Sequence, residues 1–261
     1  LESLAYRTAS HVVALSPGIK AAIATRGASL DKISFIPNSC DIEHFKAREN
    51  QKIKLPEDIK ERDSIVLYPG TIGIANGVSY IVEMAQHIVQ THPQIKFVII
   101  GDGKEKPKVK SLAEHLGVLE KNLFLMDPIP KSEIPALYQR ASLILNTLVD
   151  HKALWNSSPN KFFDSLAAGK PIAINFGGWL ADLITENEIG LVLDPTNAKT
   201  AAEQIARALS LPLWAEKNGR NAFKLGTANF DRETLATQLN QILLNVLKQS
   251  ESQATLRKVS R

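Results

Sequence analysis

The chain has 261 residues, of which 44% are hydrophobic and 22% are charged, which is typical of a globular protein with one or two domains. Its net charge of +4 is too small to indicate nucleic-acid binding, although it would suit an anionic ligand or an anionic membrane surface. The single cysteine, Cys40, excludes an internal disulfide framework and a cysteine-rich metal site. No apolar run reaches the roughly 18 residues of a membrane span, and no signal peptide is recognisable.

Short apolar runs rich in Val, Ile and Leu alternate with helical patterns along the chain. Such runs are typical of a parallel sheet that helices cover on both faces. The predicted strands are 11–15, 33–36, 64–69, 96–101, 122–126, 142–147, 171–176 and 190–194. The predicted helices between the later strands lie around 81–89 and 113–117 and over 131–141, 160–169, 179–188 and 198–209. This order predicts an α/β fold with a doubly wound parallel sheet.

The two ends of the chain differ from this central part, which we place at residues 46–210. Residues 1–45 carry a helix, a strand, a helix and a strand, and the polar stretch "PNSCDIEHFKARENQ" that begins there is typical of a linker. Residues 211–250 should form carboxyl-terminal helices, including a long amphipathic one whose apolar stripe must pack against a partner; the stripe is Leu235, Leu239, Ile242, Leu243, Val246 and Leu247. Residues 251–261 should be a flexible tail. Since the chain begins "LESLAYRTAS", we expect it to be a fragment of a longer protein.

Four loops follow predicted strands, where ligands bind in an open α/β sheet. In the first, "GTIGIANG" (70–77), Gly70, Gly73 and Gly77 would let the backbone approach a ligand, with Thr71 beside them. Asn76 could cap the next helix. Three glycines exceed what a turn needs, so a diphosphate cradle is favoured over an ordinary glycine-rich turn.

The second loop, "GDGKEK" (101–106), begins with Gly101 and Asp102 like a dinucleotide-binding fingerprint. Lys106 replaces the third glycine of that motif, which disfavours a hydride-transferring enzyme. A nucleotide-facing loop and a polar turn are equally supported. In the third loop, "DPIPKSE" (127–133), the backbone at Pro128 and Ile129 could hydrogen-bond a base, although on its own the loop with its two prolines slightly favours a rigid turn.

The fourth loop, "NSSPNKFFDSLAAGKP" (156–171), carries the strongest signal. Ser158 before Pro159 predicts a helix start with proline in the first position. Free backbone N–H groups at such a start bind anions, and Ser157 and Asn160 lie beside them. Lys161 in the first turn opposes the helix dipole unless an anion lies between them, so phosphate binding is favoured over a solvated lysine.

Asp164 follows Lys161 by about one turn and could accept hydrogen bonds from ribose hydroxyls, or be a simple surface acid. Other chemistries have little support. The six histidines form no metal-binding pair, and neither a nucleophile elbow nor a P-loop is present. His151 could line the site, but a loop-surface role is commoner for such a residue.

In this order the loops resemble the carboxyl-terminal, donor-binding half of a GT-B glycosyltransferase of family 4. The resemblance runs from "ASHVVALSPGIKAAIATRGASLDKISFIPNSCDIEHF", like the family's crossover segment, through "LYPGTIG", "FVIIGDG" and "IPALYQRASLIL" to "NKFFDSLAAGKPIAI". It covers the chain to about residue 247 and is strongest to bacterial L-fucosamine transferases of surface-polysaccharide synthesis, which share "NKFFD-LAAGKP" and a "GGW" like 177–179. It implies a Rossmann-like donor domain, with residues 1–45 as the end of the amino-terminal domain and the crossover.

The resemblance implies a retaining transfer from a nucleotide-diphosphate sugar without a metal or other cofactor. Asp164 matches the second of two family glutamates, which holds the ribose, and Asn156 stands in place of the first. Thr71 and Asn76 lie near the places where many members carry an arginine and a lysine for the diphosphate. Lys161 is therefore the substitute cation and the candidate catalytic residue, since metal-free departure of a diphosphate needs positive charge.

These features predict a hexosyl- or glycosyltransferase fragment that moves a sugar, such as the amino-deoxy sugar L-fucosamine, from a donor for which UDP is the family-level choice. The acceptor would be lipid-linked or a polysaccharide, in lipopolysaccharide, O-antigen or capsule synthesis. The protein would be cytoplasmic or peripheral at the inner face of the membrane, without nucleic-acid partners. With its amino-terminal domain missing, the fragment should bind donor weakly and transfer nothing. A GT-B sugar-nucleotide epimerase and a noncatalytic nucleotide-binding module remain alternatives.

Overall fold

The computed structural model describes residues 1–46 and 53–259, with side chains to residue 249. The strands are Val12–Ala14 (β1), Ile33–Phe35 (β2), Ser64–Pro69 (β3), Ile95–Ile100 (β4), Leu123–Met126 (β5), Leu143–Asn146 (β6), Ile172–Ile174 (β7) and Gly190–Val192 (β8). The helices are Glu2–Thr8 (α1), Pro17–Thr25 (α2), Ile42–Lys46 (α3), Ser79–Ile88 (α4), Lys106–His115 (α5), Ile134–Arg140 (α6), Asn160–Ala167 (α7), Trp179–Glu186 (α8), Ala198–Ser210 (α9), Trp214–Asn229 (α10) and Arg232–Val259 (α11). Short 3₁₀ turns cover Leu30–Lys32, Ile74–Asn76, Lys131–Glu133 and Lys152–Asn156.

Six strands form one parallel sheet in the order β5-β4-β3-β6-β7-β8. The chain builds outward from β3 in one direction and then from β6 in the other, so the order reverses between these two neighbours. In such sheets the crevice for ligands opens at the carboxyl ends of the strands beside the reversal. The doubly wound α/β fold that the sequence predicts is confirmed, and each of the eight predicted strands is present.

The core consists of two layers, one on each face of this sheet. Successive strand residues point to opposite faces, so Ile65 and Leu67 of β3 pack under α6, α7, α8 and α10. Val66 and Tyr68 of the same strand pack under α4, α5 and α9. Burial on both faces explains why the strands read as continuous apolar runs rather than as alternating patterns.

The amino-terminal segment forms a second, two-stranded parallel sheet of β1 and β2. A small core that includes Ala14, Ile23 and Ile33 holds α2 against it. Ser16 caps α2, since its Oγ accepts the backbone N–H of Ile19 at 3.1 Å. The helix and strand order expected for this segment is therefore confirmed.

The predicted linker is wrong over residues 42–46, which form helix α3. Ile42 and Phe45 lie one turn apart and are buried in the main core. Just before them, Cys40 is buried, and its Sγ donates to the backbone oxygen of Phe163 at 3.2 Å. This segment therefore belongs to the packed body of the main sheet, while residues 47–52 of the predicted linker lie outside the described residues.

The carboxyl-terminal helices differ from the prediction in extent and burial. In α11, Leu235 is buried and Ile242 and Val246 are half-buried, whereas Leu239, Leu243 and Leu247 are 39%, 54% and 60% exposed, so half of the predicted stripe is exposed among the described residues. The helical backbone continues to Val259, through most of the expected tail, and residues 260–261 lie outside the described part. Among the described helices, none has the length and hydropathy needed to cross a bilayer.

Helix α10 packs against the end of α7 through two glycines. A Cβ on Gly219 would overlap the backbone oxygen of Gly169, so only glycine permits this approach. We predict that Gly219→Ala lowers the free energy of unfolding by about 1–3 kcal/mol, the usual effect of overpacking. Alanine normally stabilises a helix interior relative to glycine. A loss of stability in Gly219→Ala would therefore come from the close contact with Gly169 and not from helix propensity.

Urea denaturation measures this loss, with Lys224→Ala as the control because Lys224 is exposed on the same helix. The control should remain within about 0.5 kcal/mol of the wild type. A stabilised Gly219→Ala variant would contradict the close helix packing.

Candidate active site

A cleft of about 380 Å³ opens at the carboxyl ends of β3 and β4, beside the reversal of strand order where the topology places a ligand. Its lining residues are His44, Phe45, Pro69, Gly70, Thr71, Ile100, Gly101, Asp102, Pro128, Ile129, Lys131, Ile134, Tyr138 and Asp164. A larger cavity of about 890 Å³ lies at the opposite ends of the strands, between α6, α7 and α10. We assign the site to the smaller cleft, since the larger cavity contains none of the predicted site residues.

The structure brings seven predicted residues together in the cleft, from three different loops and one helix. They are Gly70, Thr71, Gly101, Asp102, Pro128, Ile129 and Asp164. The sequence missed His44, Phe45, Ile134 and Tyr138, and noted Lys131 only as a helix start. Phe45 and Tyr138 pack with their ring centroids 5.3 Å apart. Only the spacing of Ile42 and Phe45 in the polar stretch could have indicated a buried helix there.

Gly70 and Gly101, which are predicted to contact a ligand, have a structural role in one wall of the cleft. Gly70 donates its N–H to Ile100 at 2.8 Å, and Ile72 donates to Asp102 at 2.8 Å, so the two loops continue the pairing of β3 with β4. Gly101 has a φ of 153°, and a Cβ there would overlap the backbone oxygen of Gly70. The glycines thus permit the close approach of two loops that form one wall of the cleft.

Gly73 and Asn76, predicted to contact the diphosphate, lie outside the residues that line the cleft. The predicted cap by Asn76 is wrong, since α4 begins at Ser79 after Val78 without a side-chain cap. A 3₁₀ turn ends at Asn76, and Gly77 follows with a left-handed φ of 58°, so the helix starts too far along the chain for Asn76 to reach. The Asn76 backbone oxygen instead accepts the Thr147 hydroxyl at 2.8 Å.

Lys161 is half-buried as a residue, but its Nζ is fully buried and has no hydrogen-bond partner among the described residues. The Nζ lies 3.8 Å from the centroid of the Tyr68 ring. A Cβ on Gly70 would be 3.0 Å from it, so the amine lies directly behind the cleft wall. Burial lowers the pKa of Lys161 to about 7, because water no longer stabilises the ammonium form.

Tyr68 presents a neutral, electron-rich ring face to this amine. Its hydroxyl donates to the backbone oxygen of Thr71 at 2.8 Å, and burial raises the pKa of the phenol. A cation over a tyrosine face is attracted by the ring quadrupole. The position therefore suits an ammonium group, although the buried surroundings oppose its charge.

The predicted cap of α7 is wrong. The helix begins at Asn160 after Pro159 without a side-chain cap, one residue later than predicted. The Ser158 hydroxyl accepts the Asn38 N–H at 3.3 Å, and the Ser158 backbone oxygen accepts the Asn38 side-chain amide. Ser158 thus ties the start of α7 to the segment after β2, which removes it from a capping role.

The neighbouring predicted residues are arranged differently. The backbone oxygen of Ser157 accepts the indole N–H of Trp179 at 3.0 Å, while its Oγ is buried without a hydrogen-bond partner in the described part of the chain. Asn160 is exposed at the first position of α7. Ser157, Ser158, Asn160 and Lys161 all lie outside the cleft lining, but the Lys161 amine reaches its wall at Gly70.

Asp164, also on α7, faces the cleft from within the protein. Burial raises its pKa to about 6, and the nearby Asp41 adds to the rise, whereas Lys131 and Arg232 oppose it. Asp41 and Arg232 form an ion pair at 2.7 Å. Above pH 6 the site therefore holds a half-buried carboxylate that can accept hydrogen bonds from hydroxyl groups.

Asn156 and His151 contact groups outside the cleft. Asn156 ends a 3₁₀ turn, and its side chain lies against Gly18 in the first turn of α2, where a Cβ would overlap it. His151 is exposed, and its Nδ1 accepts the N–H of Ala153 at 3.3 Å. In the described part of the chain, no three His, Cys, Asp or Glu side chains converge as a metal site would require.

Comparisons with known proteins agree with the fold. Alpha-D-kanosaminyltransferase of Streptomyces kanamyceticus is 24% identical over 175 residues, which are 67% of this chain and 44% of that protein. Anabaena HepE, solved in complex with UDP-glucose, superposes with a TM-score of 0.76 at 20% identity, over 93% of this chain and 65% of that chain. WaaG, a glycosyltransferase involved in lipopolysaccharide biosynthesis, gives a TM-score of 0.70 at 16% identity, over 88% and 62%.

The chain spans about half the length of the curated relatives it matches. Residues 49–225 match the model of the family described as Glycosyl transferases group 1. That match covers the whole six-stranded sheet, helix α7 and every residue of the cleft lining except His44 and Phe45. The chain therefore belongs to the family Glycosyl transferases group 1.

Proposed function

We propose that the chain is the nucleotide-sugar-binding half of a retaining, metal-independent glycosyltransferase. The observation that carries the proposal is the buried, unpartnered Nζ of Lys161, placed behind Gly70 in the wall of the cleft. A buried amine without a partner is costly. An anion bound in the cleft would supply the missing counter-charge.

The diphosphate of the donor is the anion that this position suits. Gly70 carries no side chain between the amine and the cleft, so a phosphate oxygen could approach Lys161 across the glycine backbone. Thr71, exposed beside it, could add its hydroxyl or N–H. The loop that leads to Lys161 also contains Ser157, Ser158 and Asn160. Because Ser158 is bonded to Asn38, we assign it to the support of Lys161 and not to direct contact with the diphosphate.

The nucleoside would occupy the remainder of the cleft. Asp164 is the half-buried carboxylate on its floor and would accept hydrogen bonds from the ribose hydroxyls. Pro128 and Ile129 end the β5 side of the cleft, where their backbone groups would meet the base. HepE is solved with UDP-glucose, which supports a UDP-linked sugar as the first donor to test and UDP as the first nucleotide.

The reaction would break the bond between C1 of the sugar and an oxygen of the β-phosphate. The electron pair goes to the leaving diphosphate, and the acceptor hydroxyl forms the new bond at C1 from the same face and gives its proton to an oxygen of the departing diphosphate. Lys161 as an ammonium would stabilise the negative charge that develops on the diphosphate. No metal is required in this scheme, since the lysine supplies the positive charge.

The finer identity of the sugar and acceptor extends the proposal. We propose an amino-deoxy sugar such as L-fucosamine, supported by the sequence resemblance and by the kanosaminyltransferase relative. We also propose a lipid-linked or polysaccharide acceptor, reached at the inner face of the membrane; WaaG, which has a similar fold, is involved in lipopolysaccharide biosynthesis.

Isothermal calorimetry with UDP tests the donor site. We predict that Lys161→Ala weakens UDP binding at pH 7 by about 10-fold to 100-fold, since hydrogen bonds to charged groups contribute about 1.5–3 kcal/mol. Lys224→Ala, which removes an exposed lysine on α10, should bind like the wild type. Equal UDP affinity of the wild type and Lys161→Ala would show that Lys161 does not bind the diphosphate. GDP and dTDP in the same series would show which base the cleft prefers.

The ribose contact has its own test, a comparison of UDP with 2′,3′-dideoxy-UDP. The wild type should bind the dideoxy analogue about 10-fold more weakly, because Asp164 loses its hydroxyl donors. Asp164→Asn should bind UDP more weakly and discriminate much less between the two ligands. Asp182→Asn, an exposed change on α8, should keep the full discrimination. Undiminished discrimination in Asp164→Asn would assign the ribose to another group.

The buried amine also predicts a measurable stability cost. Lys161→Met should raise the free energy of unfolding at pH 7 by roughly 1–4 kcal/mol, because methionine fills the space without a charge. The folded pKa of Lys161 is lowered to about 7, so protonation favours the unfolded chain increasingly as pH falls toward 7. The gain should therefore shrink as pH rises toward 10.

Urea denaturation of both proteins at pH 7 and pH 9.5 measures this difference. Lys224→Met is the matched control and should change the stability by less than about 0.5 kcal/mol at either pH. A destabilised Lys161→Met variant at pH 7 would show that the amine is satisfied in the folded protein.

A further inference from the structure

Among the described residues, the surroundings of the Lys161 amine contain a ring face and a glycine but no counter-ion. The Tyr68 ring centroid lies 3.8 Å from Nζ, a Cβ on Gly70 would lie 3.0 Å from it, and Nζ has no hydrogen-bond partner within the described structure. The charged and titratable groups of the same cleft are His44, Asp102, Lys131, Tyr138 and Asp164, with the ion pair of Asp41 and Arg232 near Asp164. None of these groups forms an ion pair with Lys161.

We infer that Lys161 takes up a proton when the donor diphosphate binds and releases it when the nucleotide product leaves. The inference rests on the proposed function, because the ligand is the diphosphate of that donor. The neutral amine gains one proton and becomes ammonium, and no bond of the donor is broken in this step. The site therefore holds its cation only while an anion is present to balance it.

Two features of the geometry favour this exchange over a permanently charged lysine. Burial without a hydrogen-bond acceptor opposes an ammonium group, which agrees with the lowered pKa of about 7. The Tyr68 face nevertheless keeps a position in which ammonium is attracted once a counter-charge arrives. A nearby diphosphate would raise the pKa of the amine again, because opposite charge favours the charged form.

The direction in which pH changes UDP affinity follows from the pKa of Lys161 without ligand and from its higher pKa beside the diphosphate. Below pH 7 the amine is protonated with or without ligand, so proton uptake is small there. Above pH 7 the free amine is largely neutral, and UDP affinity should fall as pH rises, by about 5-fold between pH 7 and pH 8. Asp164, with a pKa of about 6, is already mostly ionised in this range and contributes little to the change.

Calorimetry of the full chain with UDP at pH 8, in buffers of different ionisation enthalpy, counts the protons directly. We expect an uptake of about 0.9 protons per UDP for the wild type. Lys161→Arg keeps a permanent cation and should take up close to none. UDP binding by the wild type without proton uptake, or with the same uptake in Lys161→Arg, overturns this inference and leaves the proposed function intact. Failure of the wild type to bind UDP at any pH overturns the proposed function itself.

A second measurement covers the case in which Lys161→Arg does not fold or bind. The UDP dissociation constant is measured at pH 7, 8 and 9 for the wild type and for His44→Gln, which removes the histidine that lines the cleft. Weakening with pH that persists in His44→Gln supports Lys161 as the proton acceptor. Weakening that disappears in His44→Gln assigns the proton to the histidine and overturns the inference.

Discussion

The site depends on one constraint, which is that an amine is held away from water between an aromatic ring and a glycine. Lys161 fits closely against Gly70, since a Cβ there would lie 3.0 Å from Nζ. The place also requires Tyr68 to be fully buried in β3, with its hydroxyl bonded to Thr71. Strand, loop and helix are thus fitted to each other around a single side chain, and Gly70 and Thr71 of this group line the cleft.

Much of this arrangement could be predicted from the sequence because its causes are local. The apolar runs that became β3 and β4 were recognisable, since burial on both faces leaves no polar alternation. Lys161 was recognisable because a cation in the first turn opposes the helix dipole. Asp164 followed from helical spacing and from the family resemblance. These predictions needed only neighbours a few residues apart and the rule that ligands lie at the carboxyl ends of the strands.

The predictions that were wrong depended on contacts between distant parts of the chain. Ser158 has the chemistry of a helix cap, yet its hydroxyl pairs with Asn38, 120 residues away, and such competition cannot be read from local sequence. Ile42 and Phe45 stand in a polar stretch that is typical of a linker, and two apolar residues among charges are a weak signal for a buried helix. The burial of Lys161 itself also required the structure, since a lysine at a helix start is usually solvated.

The same distant contacts determine the electrostatics of the cleft. The Cys40 N–H donates to the backbone oxygen of Phe230 at 2.7 Å, and the Arg232 N–H donates to the backbone oxygen of Cys40 at 3.1 Å, so the start of α11 is fixed beside Asp41. The resulting ion pair of Asp41 with Arg232 lies close enough to Asp164 for both charges to act on its pKa, in opposite directions. Because these two effects oppose each other, burial remains the main influence on Asp164, as it is on Lys161. The two functional groups of α7 are therefore governed by how deeply the helix is packed, and that packing is set by segments that precede and follow the sheet.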